Sequence, residues 1–327
     1  MIIEERLSRA MHKRVAAIMM VVLAAVYVWV TGLVAETEPV WNDTGIGLSG
    51  LNDWDIPAAM SMALNIGLNG VIMLLMMALN RTHNVLRSLT WLPVGLFAIM
   101  QAATPTAMLS LGSGTLVCVV VLLCLYLLFG IYGMPTQTRI VFLVFFLLSL
   151  GTAFQYCFAP FILLFGLICV QMKVFNLRSF VAMLMGVASV WILLLGFGIV
   201  EVDHLQMPRL HNVFAGDMSA MRLYLPMLAS VTAILLIAAI TMNFMKAFAY
   251  NAHARAMNGA LVLLSFTIVL MMVIDSQNMP AYMPLLNVSA AMQITHYLVN
   301  HRFERQYIAI LAVIIVYIAI YLRRLYL

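Results

Sequence analysis

Long apolar runs, separated by short polar segments, cover nearly the whole chain. The runs do not alternate polar and apolar residues as membrane-barrel strands do, and most approach the roughly 20 residues that a helix needs to cross a bilayer. The pattern therefore predicts transmembrane helices with approximate cores at 15–34, 58–79, 89–104, 115–132, 140–158, 160–172, 180–200, 223–245, 257–274, 281–299 and 307–322.

Two of these predicted spans, 89–104 and 160–172, are short for a bilayer crossing. Pro93, Pro105 and Pro160 lie close to them, and proline bends or ends a helix. We expect one or both segments to be re-entrant or kinked. The prediction is therefore a bundle of about 10–11 spans.

Composition excludes a soluble globule. Of the 327 residues, 65% are hydrophobic and only 9% are charged, whereas soluble domains carry about 25% charged residues. The predicted fold class is all-α: a polytopic transmembrane helical bundle that forms a single domain over residues 1–327, with no soluble domain. The longest polar segments are 35–57 and 201–222.

Basic residues predict the orientation. Four Lys and Arg lie within residues 6–14, before the first span, so the positive-inside rule places the N-terminus in the cytoplasm. Eleven alternating spans then put segments 35–57 and 201–222 outside, together with the C-terminal "RRLYL", which suits the rule less well. Because the basic residues are scattered at helix ends, nucleic acid is not an expected partner.

The four cysteines lie inside apolar runs and form no CxxC pair. We interpret them as small buried apolar residues rather than as a metal or disulfide site. They are Cys118, Cys124, Cys157 and Cys169.

Three stretches carry a resemblance to a known group. The sequences "ALNRTHNVLRS", "LVCVVVLLCLYLLFGIYG" and "APFILLFGLICVQMKVFNLRSFVAMLMGVASVW" resemble multi-pass inner-membrane proteins of Bacteroidota to which no function is attached. In that group an Asn-Arg turn, a "YLLF..Y" helix and an "R(S/T)F.A...G" helix follow in this order. The resemblance covers roughly residues 60–195. It implies a helical bundle in a Gram-negative inner membrane, and it implies no catalytic residue.

Segment 35–57 contains five of the twelve acids and no Lys or Arg. In its "DWD", Asp53 and Asp55 would point to one side of an extended chain, where they could hold a divalent cation or act as a base. The layout is also similar to membrane glycosyltransferases of the GT-C type, which use lipid-linked donors and carry acids in the first outer loop. That similarity implies catalytic roles for Asp53 and Asp55, although this chain lacks a large outer domain. The alternative is that the acids only keep the loop solvated.

Segment 201–222 places basic residues on the predicted outer side, where they are disfavoured, and so hints at an anionic partner. Arg209, Arg222, His204 and His211 are its candidate substrate-binding residues. The two histidines are seven apart and would share a helix face. Without a tighter spacing we assign no metal to them, and a solvated amphipathic segment is the alternative.

Polar residues within predicted spans are costly unless they are partnered, and so they are a third kind of candidate. Asp275 closes the ninth span at what we take to be the outer interface, and Asn287, Gln293 and His296 lie in the tenth. Together they could form a transport path, with Asp275 carrying a proton. A break at "NMPAYMP" would suit a discontinuous helix of the kind that transporters use. The alternative is ordinary hydrogen bonding between helices and a kinked helix.

Three functional hypotheses remain open on these observations. The first, which we favour because it explains the acidic segment, is the handling of a lipid-linked envelope glycan intermediate, such as a polyprenyl-phosphate-linked substrate, at the outer face. The second is a small-molecule transporter or flippase. The third is a non-catalytic membrane subunit or assembly factor with a protein partner. The lipid bilayer is a partner in all three, and the sequence assigns neither an enzymatic activity nor a cofactor.

Overall fold

The computed structural model describes residues 10–34, 45–48, 56–104, 106–200, 220–247, 250–300 and 306–326. These residues form helices joined by short turns. The helices are α1 (Arg14–Val34), α2 (Ala58–His83), α3 (Leu92–Ala102), α4 (Thr106–Leu109), α5 (Ser113–Phe129), α6 (Thr138–Phe154), α7 (Ala159–Gln171), α8 (Leu177–Gly196), α9 (Ala220–Ala247), α10 (Ala252–Ile274), α11 (Met279–Asn300) and α12 (Gln306–Tyr326).

The helices are those of a multi-pass membrane protein, as predicted. Within the described residues, α1, α2, α8, α9 and α10 are long and apolar enough to cross a membrane by length and composition. The two spans expected to be short are α3, with 11 residues, and α7, with 13. Pro93 and Pro160 lie in the first turn of these helices, where a backbone N–H would have no partner within the helix. The two prolines therefore begin the helices and do not bend or end them. Pro105 lies outside the described residues.

Contacts between helix ends define two sides of the bundle. We call the side where α1 ends and α2 begins the loop side, and the side where α1 begins the N-terminal side. The Thr31 hydroxyl donates to the Tyr321 hydroxyl over 3.1 Å, so α12 ends on the loop side, next to the end of α1. His12 lies 3.0 Å from the Gln306 amide, so α12 begins on the N-terminal side. The C-terminal end of the bundle therefore lies on the side of segment 35–57, as an odd number of spans requires.

Helix α11 occupies the centre of the bundle. It packs against α3, α5, α9 and α10, and 18 of its 22 residues are buried. It is continuous from Met279 to Asn300 and passes through Pro284, so the expected discontinuous helix is not present. The break lies earlier, at a 3-10 turn over Ser276–Asn278 that separates α10 from α11.

The turn before α11 repeats one that precedes α7. In both places a helix ends, one residue leaves the helical conformation (Gln155 or Asp275), three residues form a 3-10 turn, and the next helix carries proline at its second position. Both turns lie on the loop side, and the hydroxyl of Tyr156 in the first turn reaches Asp275 in the second. The repeat thus joins two distant parts of the chain at one place.

The prediction for the cysteines is confirmed, since all four thiols are buried in the core. On α2, Asn65 and Asn69 are also buried, and the Asn69 amide donates to the Asn65 carbonyl over 2.9 Å.

Candidate functional site in the core around α11

Paired amides connect α11 to its neighbours at two depths. The Asn287 amide donates to the Gln101 side-chain carbonyl of α3 over 2.9 Å. Six residues further along, the Asn243 amide of α9 donates to the side-chain carbonyl of Gln293 over 2.9 Å and to its backbone carbonyl over 3.0 Å. All four side chains are at most 1% exposed. These polar groups therefore face the protein interior and not the lipid.

A buried carboxylate lies at the loop-side end of this core. Asp275 is fully buried and accepts hydrogen bonds from the hydroxyls of Tyr156 and Tyr282 over 3.1 and 3.3 Å. The Asn278 amide donates to both carboxylate oxygens, over 3.0 and 3.2 Å, and also contacts the Tyr156 hydroxyl. Asp275 does end α10 on the loop side, as the sequence predicts. It is nevertheless buried, and these three side chains supply the donors that a buried carboxylate requires.

Three side chains, Arg87, Tyr250 and His296, contact one another in turn at the N-terminal-side end of the core. His296 is 4% exposed, and its ring centroid lies 5.7 Å from that of Tyr250. The guanidinium of Arg87 lies over the Tyr250 ring, 4.5 Å from its centroid. Burial raises the pKa of Tyr250, while the Arg87 charge opposes that rise. An exposed cation thus lies over the Tyr250 ring, which is in tilted contact with a buried imidazole.

Several buried polar atoms along this core have no hydrogen-bond partner among the described residues. They are the donor Nε2 of Gln101, the acceptor Oδ1 of Asn243, the acceptor Oδ1 of Asn287, the donor Nε2 of Gln293, and Nε2 of His296. Buried polar groups are ordinarily hydrogen-bonded, so each such atom calls for an explanation. Each amide pair thus leaves one donor and one acceptor without a hydrogen bond among the described residues.

Polar groups extend along nearly the whole depth of the membrane. From Met279 to His296 the helix rises about 25 Å at 1.5 Å per residue, against a hydrocarbon thickness of about 30 Å. Between the carboxylate cluster and the histidine lie the two amide pairs and the Ser289 hydroxyl, which contacts the Ser265 hydroxyl of α10. These polar groups are therefore spaced along the depth of the bundle, on faces of α11 that contact α3, α10 and α9.

Part of segment 35–57 packs beside the carboxylate end. Residues 45–48 lie against the end of α6, where the Leu48 amide donates to the Ala153 carbonyl over 3.1 Å. A Cβ on Gly45 would lie 2.5 to 2.8 Å from the carbonyl oxygens of Ala153 and Phe154, so only glycine fits this contact. The α6 helix leads directly into Tyr156, so this part of the acidic segment is held near the Asp275 cluster.

The structure describes the four residues predicted for a transport path but not those predicted for catalysis. Asp275, Asn287, Gln293 and His296 are all buried. They contact different neighbours, since Asn287 bonds to α3 and Gln293 to α9. Asp53, Asp55, His204, Arg209 and His211 lie outside the described residues. Arg222 lies in the first turn of α9, but its side chain is not described. In the part of the chain that the structure describes, no three His, Cys, Asp or Glu side chains gather as a metal site would require.

The partners of the path residues were the part that sequence reasoning missed. Tyr156, Asn278 and Tyr282 contact Asp275, yet Tyr156 is 119 residues away in sequence. Tyr250 and Arg87 lie in turns that look like ordinary helix ends. The one available signal was the deep position of Gln101 and Asn243, two uncharged polar residues in apolar runs that must find partners.

A second feature is an apolar groove on the side of the bundle. It has a volume of about 530 Å³ and lies between α1 and α2, with Ala98 of α3 and Met108 of α4 at its inner wall. Among the described residues, Asn69 is the only amide in its lining. The lining residues of α1 lie between 21 and 29 and those of α2 between 62 and 73, so the groove is centred on the loop-side half of the two helices.

Comparison with protein-family models, with curated proteins and with solved structures finds no match to this chain. The resemblances to Bacteroidota proteins and to the GT-C layout therefore stay predictions.

Proposed function

We propose that this protein is a membrane transporter that passes a small polar solute through the core around α11. The single observation that carries the proposal is the set of buried amide, hydroxyl and imidazole groups on α11 and on the helices that contact it. Five polar atoms of this set have no hydrogen-bond partner among the described residues. Intramembrane polar residues cost free energy and are ordinarily retained for a binding or transport role.

The two ends of the core have different chemistry and therefore different proposed roles. At the loop side, Asp275 can exchange a proton, with the Tyr156 and Tyr282 hydroxyls as hydrogen-bond donors to its charged form. At the N-terminal side, the Arg87–Tyr250 stack covers His296 and acts as the gate. The two amide pairs between them form the binding region.

The amides also limit the class of solute. Between Asp275 and His296 the described side chains that contact α11 through hydrogen bonds are uncharged amides and hydroxyls. Gln101 and Gln293 have donors to offer, and Asn287 and Asn243 have acceptors. A neutral solute with hydroxyl or amide groups matches this set, because each of its groups can replace water at one of these atoms.

Thiol labelling tests whether this core opens to water. Ser289→Cys and Ala290→Cys place a thiol at adjacent α11 positions that are 1% and 0% exposed. Each variant is reconstituted in vesicles and treated with a membrane-impermeant, positively charged methanethiosulfonate. Intact-mass analysis then counts the labels. The native thiols are buried, so wild-type protein supplies the background.

A transporter must expose its polar core in at least one state of its cycle. We expect Ser289→Cys, which replaces a hydroxyl in the polar row, to be labelled at least about tenfold faster than Ala290→Cys, which lies in the apolar core. Equal and negligible labelling of both would mean that the core is permanently dry, and the transport proposal would be wrong.

A second candidate function is the handling of a lipid-linked envelope intermediate at the outer face of an inner membrane, with the N-terminus in the cytoplasm. The apolar groove favours it, because the groove lies on the side of segment 35–57, which carries Asp53 and Asp55. In that function the groove holds the lipid tail while the two acids serve the sugar or phosphate, with Arg209 or Arg222 as a phosphate clamp. Asp53→Asn in the native host should then alter envelope glycans at a normal protein level. Unaltered glycans would remove this candidate.

A further inference from the structure

We propose that the groove between α1 and α2 is a binding site for one acyl chain of a membrane phospholipid, held in the half of the bilayer nearest the loop side. This inference is independent of transport through the α11 core, because the groove lies on the α1 side of α3, whereas the amide pair of α3 faces α11.

The groove reaches past the surface helices to the interior. Ala24 of α1 and Ala98 of α3 line it and are 4% and 1% exposed. Every residue of α3 is buried. The inner wall of the groove is thus formed in part by a helix that lies inside the bundle.

The lining of the groove offers few hydrogen-bonding groups to water. Apart from the Asn69 amide and the Trp29 indole, the lining side chains are aliphatic or thioether groups. A bound water needs two to four polar partners, so the polar groups here are too few to fill the groove with water. An apolar occupant is favoured because it makes van der Waals contacts with the apolar lining.

The mouth of the groove is continuous with the surface that meets the bilayer. Trp29 of α1 and Met62 and Ile66 of α2 line the groove and are 68%, 40% and 47% exposed. Both helices are candidate membrane spans. A hydrocarbon chain can therefore enter sideways from the bilayer without crossing water.

The position of Ala98 on the inner wall favours an alkyl chain over a helix as the occupant. A helix with side chains is about 10–12 Å across, and a partner helix would have to lie on the surface instead of reaching Ala98. At Gly70 on the α2 wall, an added Cβ would meet no atom within 4 Å. A slender alkyl chain can occupy that space.

A photoreactive phospholipid tests the proposal. The full-length protein is reconstituted with phosphatidylethanolamine that carries a diazirine in one acyl chain, irradiated, and digested, and the cross-linked peptides are identified. The test variant is Gly70→Leu, which fills the groove from α2. The matched control is Gly67→Leu, because Gly67 is on the same helix, has the same open space at its Cβ and does not line the groove.

We expect cross-links concentrated on groove-lining residues of α1 and α2, at least about fivefold weaker in Gly70→Leu and unchanged in Gly67→Leu. If Gly70→Leu does not fold, Ala25→Leu fills the groove from the α1 wall. Cross-links spread over all lipid-facing helices, with α8 as strongly labelled as α1, would show ordinary surrounding lipid and overturn the proposal. So would cross-linking that Gly70→Leu leaves unchanged, or a groove that cross-links only to a segment of the protein itself.

Discussion

Helices α8 and α11 follow opposite rules in the same bundle. Helix α8 is strongly apolar, and only five of its 20 residues are buried, in a stripe that packs against α6. Its large side chains, such as Leu184 and Ile192, are 55% and 66% exposed. Helix α11 carries amides, hydroxyls and a histidine, yet 18 of its 22 residues are buried.

The difference shows what separates lipid-facing from interior helices in a membrane. Lipid tails are as apolar as leucine, so apolar side chains gain little from leaving lipid, whereas an unpartnered amide in hydrocarbon is costly. Apolar α8 therefore lies outside and polar α11 inside. If the polar row of α11 is a working site, its substitutions should matter far more than those on α8.

The largest expected effect comes from Asp275→Leu. This change leaves the Tyr156, Asn278 and Tyr282 donors without their shared acceptor, and unsatisfied buried donors cost about 1–3 kcal/mol each. We expect a loss of at least about 3 kcal/mol in the free energy of unfolding, measured in detergent with a thiol-reactive dye that reports exposure of the four buried cysteines. Asp275→Asn keeps an acceptor and serves as the control, with a loss of about 1 kcal/mol or less. Equal losses for the two variants would contradict a hydrogen-bonding role.

A smaller effect is expected where α5 approaches α11 most closely. A Cβ on Gly114 would lie 2.8 and 2.9 Å from the carbonyl oxygens of Pro280 and Ala281. Backbone cannot yield as a flexible side chain can, so Gly114→Ala should cost about 1–3 kcal/mol through overpacking. The same dye assay measures it, with Gly67→Ala as a matched helical control that meets no neighbour. No difference between these two variants would mean that α11 is loosely held.

The sequence was sufficient for the framework and insufficient for the contacts. Apolar runs give the helices and their order because the bilayer fixes a length and a composition for each span. The polar residues of α11 could be marked as candidates for the same reason. Their partners could not, since Gln101 lies 186 residues from Asn287 and no periodicity specifies which helices become neighbours.

The burial of Asp275 could not be predicted for a related reason. Position at the end of an apolar run indicates an interface, but the repeated turn before α11 brings Tyr156 over the carboxylate and buries it. The acids of segment 35–57 could be proposed as candidate site residues from the composition of the segment alone. The described residues 45–48 add only that part of this segment lies near Tyr156.

Gln293→Leu should have a modest effect on stability. The Asn243 amide loses a side-chain acceptor but keeps the backbone carbonyl of residue 293, and hydrogen bonds between membrane helices average about 0.6 kcal/mol. We expect a loss of about 1 kcal/mol or less, together with strongly reduced labelling of Ser289→Cys in the double variant. If the free energy of unfolding falls while Ser289→Cys is still labelled, Gln293 contributes to packing and not to the water path.

The smallest effect is expected on α8. Leu184→Ala removes a side chain that is 55% exposed and has no part in the stripe facing α6. We expect a change within about 0.5 kcal/mol, the usual range for a surface position, and unchanged thiol labelling. A large loss would mean that α8 covers another surface, such as a partner chain.

The most direct test of the central claim is a high-resolution cryo-electron microscopy map of the protein in a lipid nanodisc. If the α11 core conducts a polar solute, non-protein density for water or ligand should lie within about 2.7–3.2 Å of the Asn287 Oδ1, Gln293 Nε2 and His296 Nε2 atoms. Side chains that instead turn to pair with one another, with no density between them, would make the row a structural hydrogen-bond network and contradict the account.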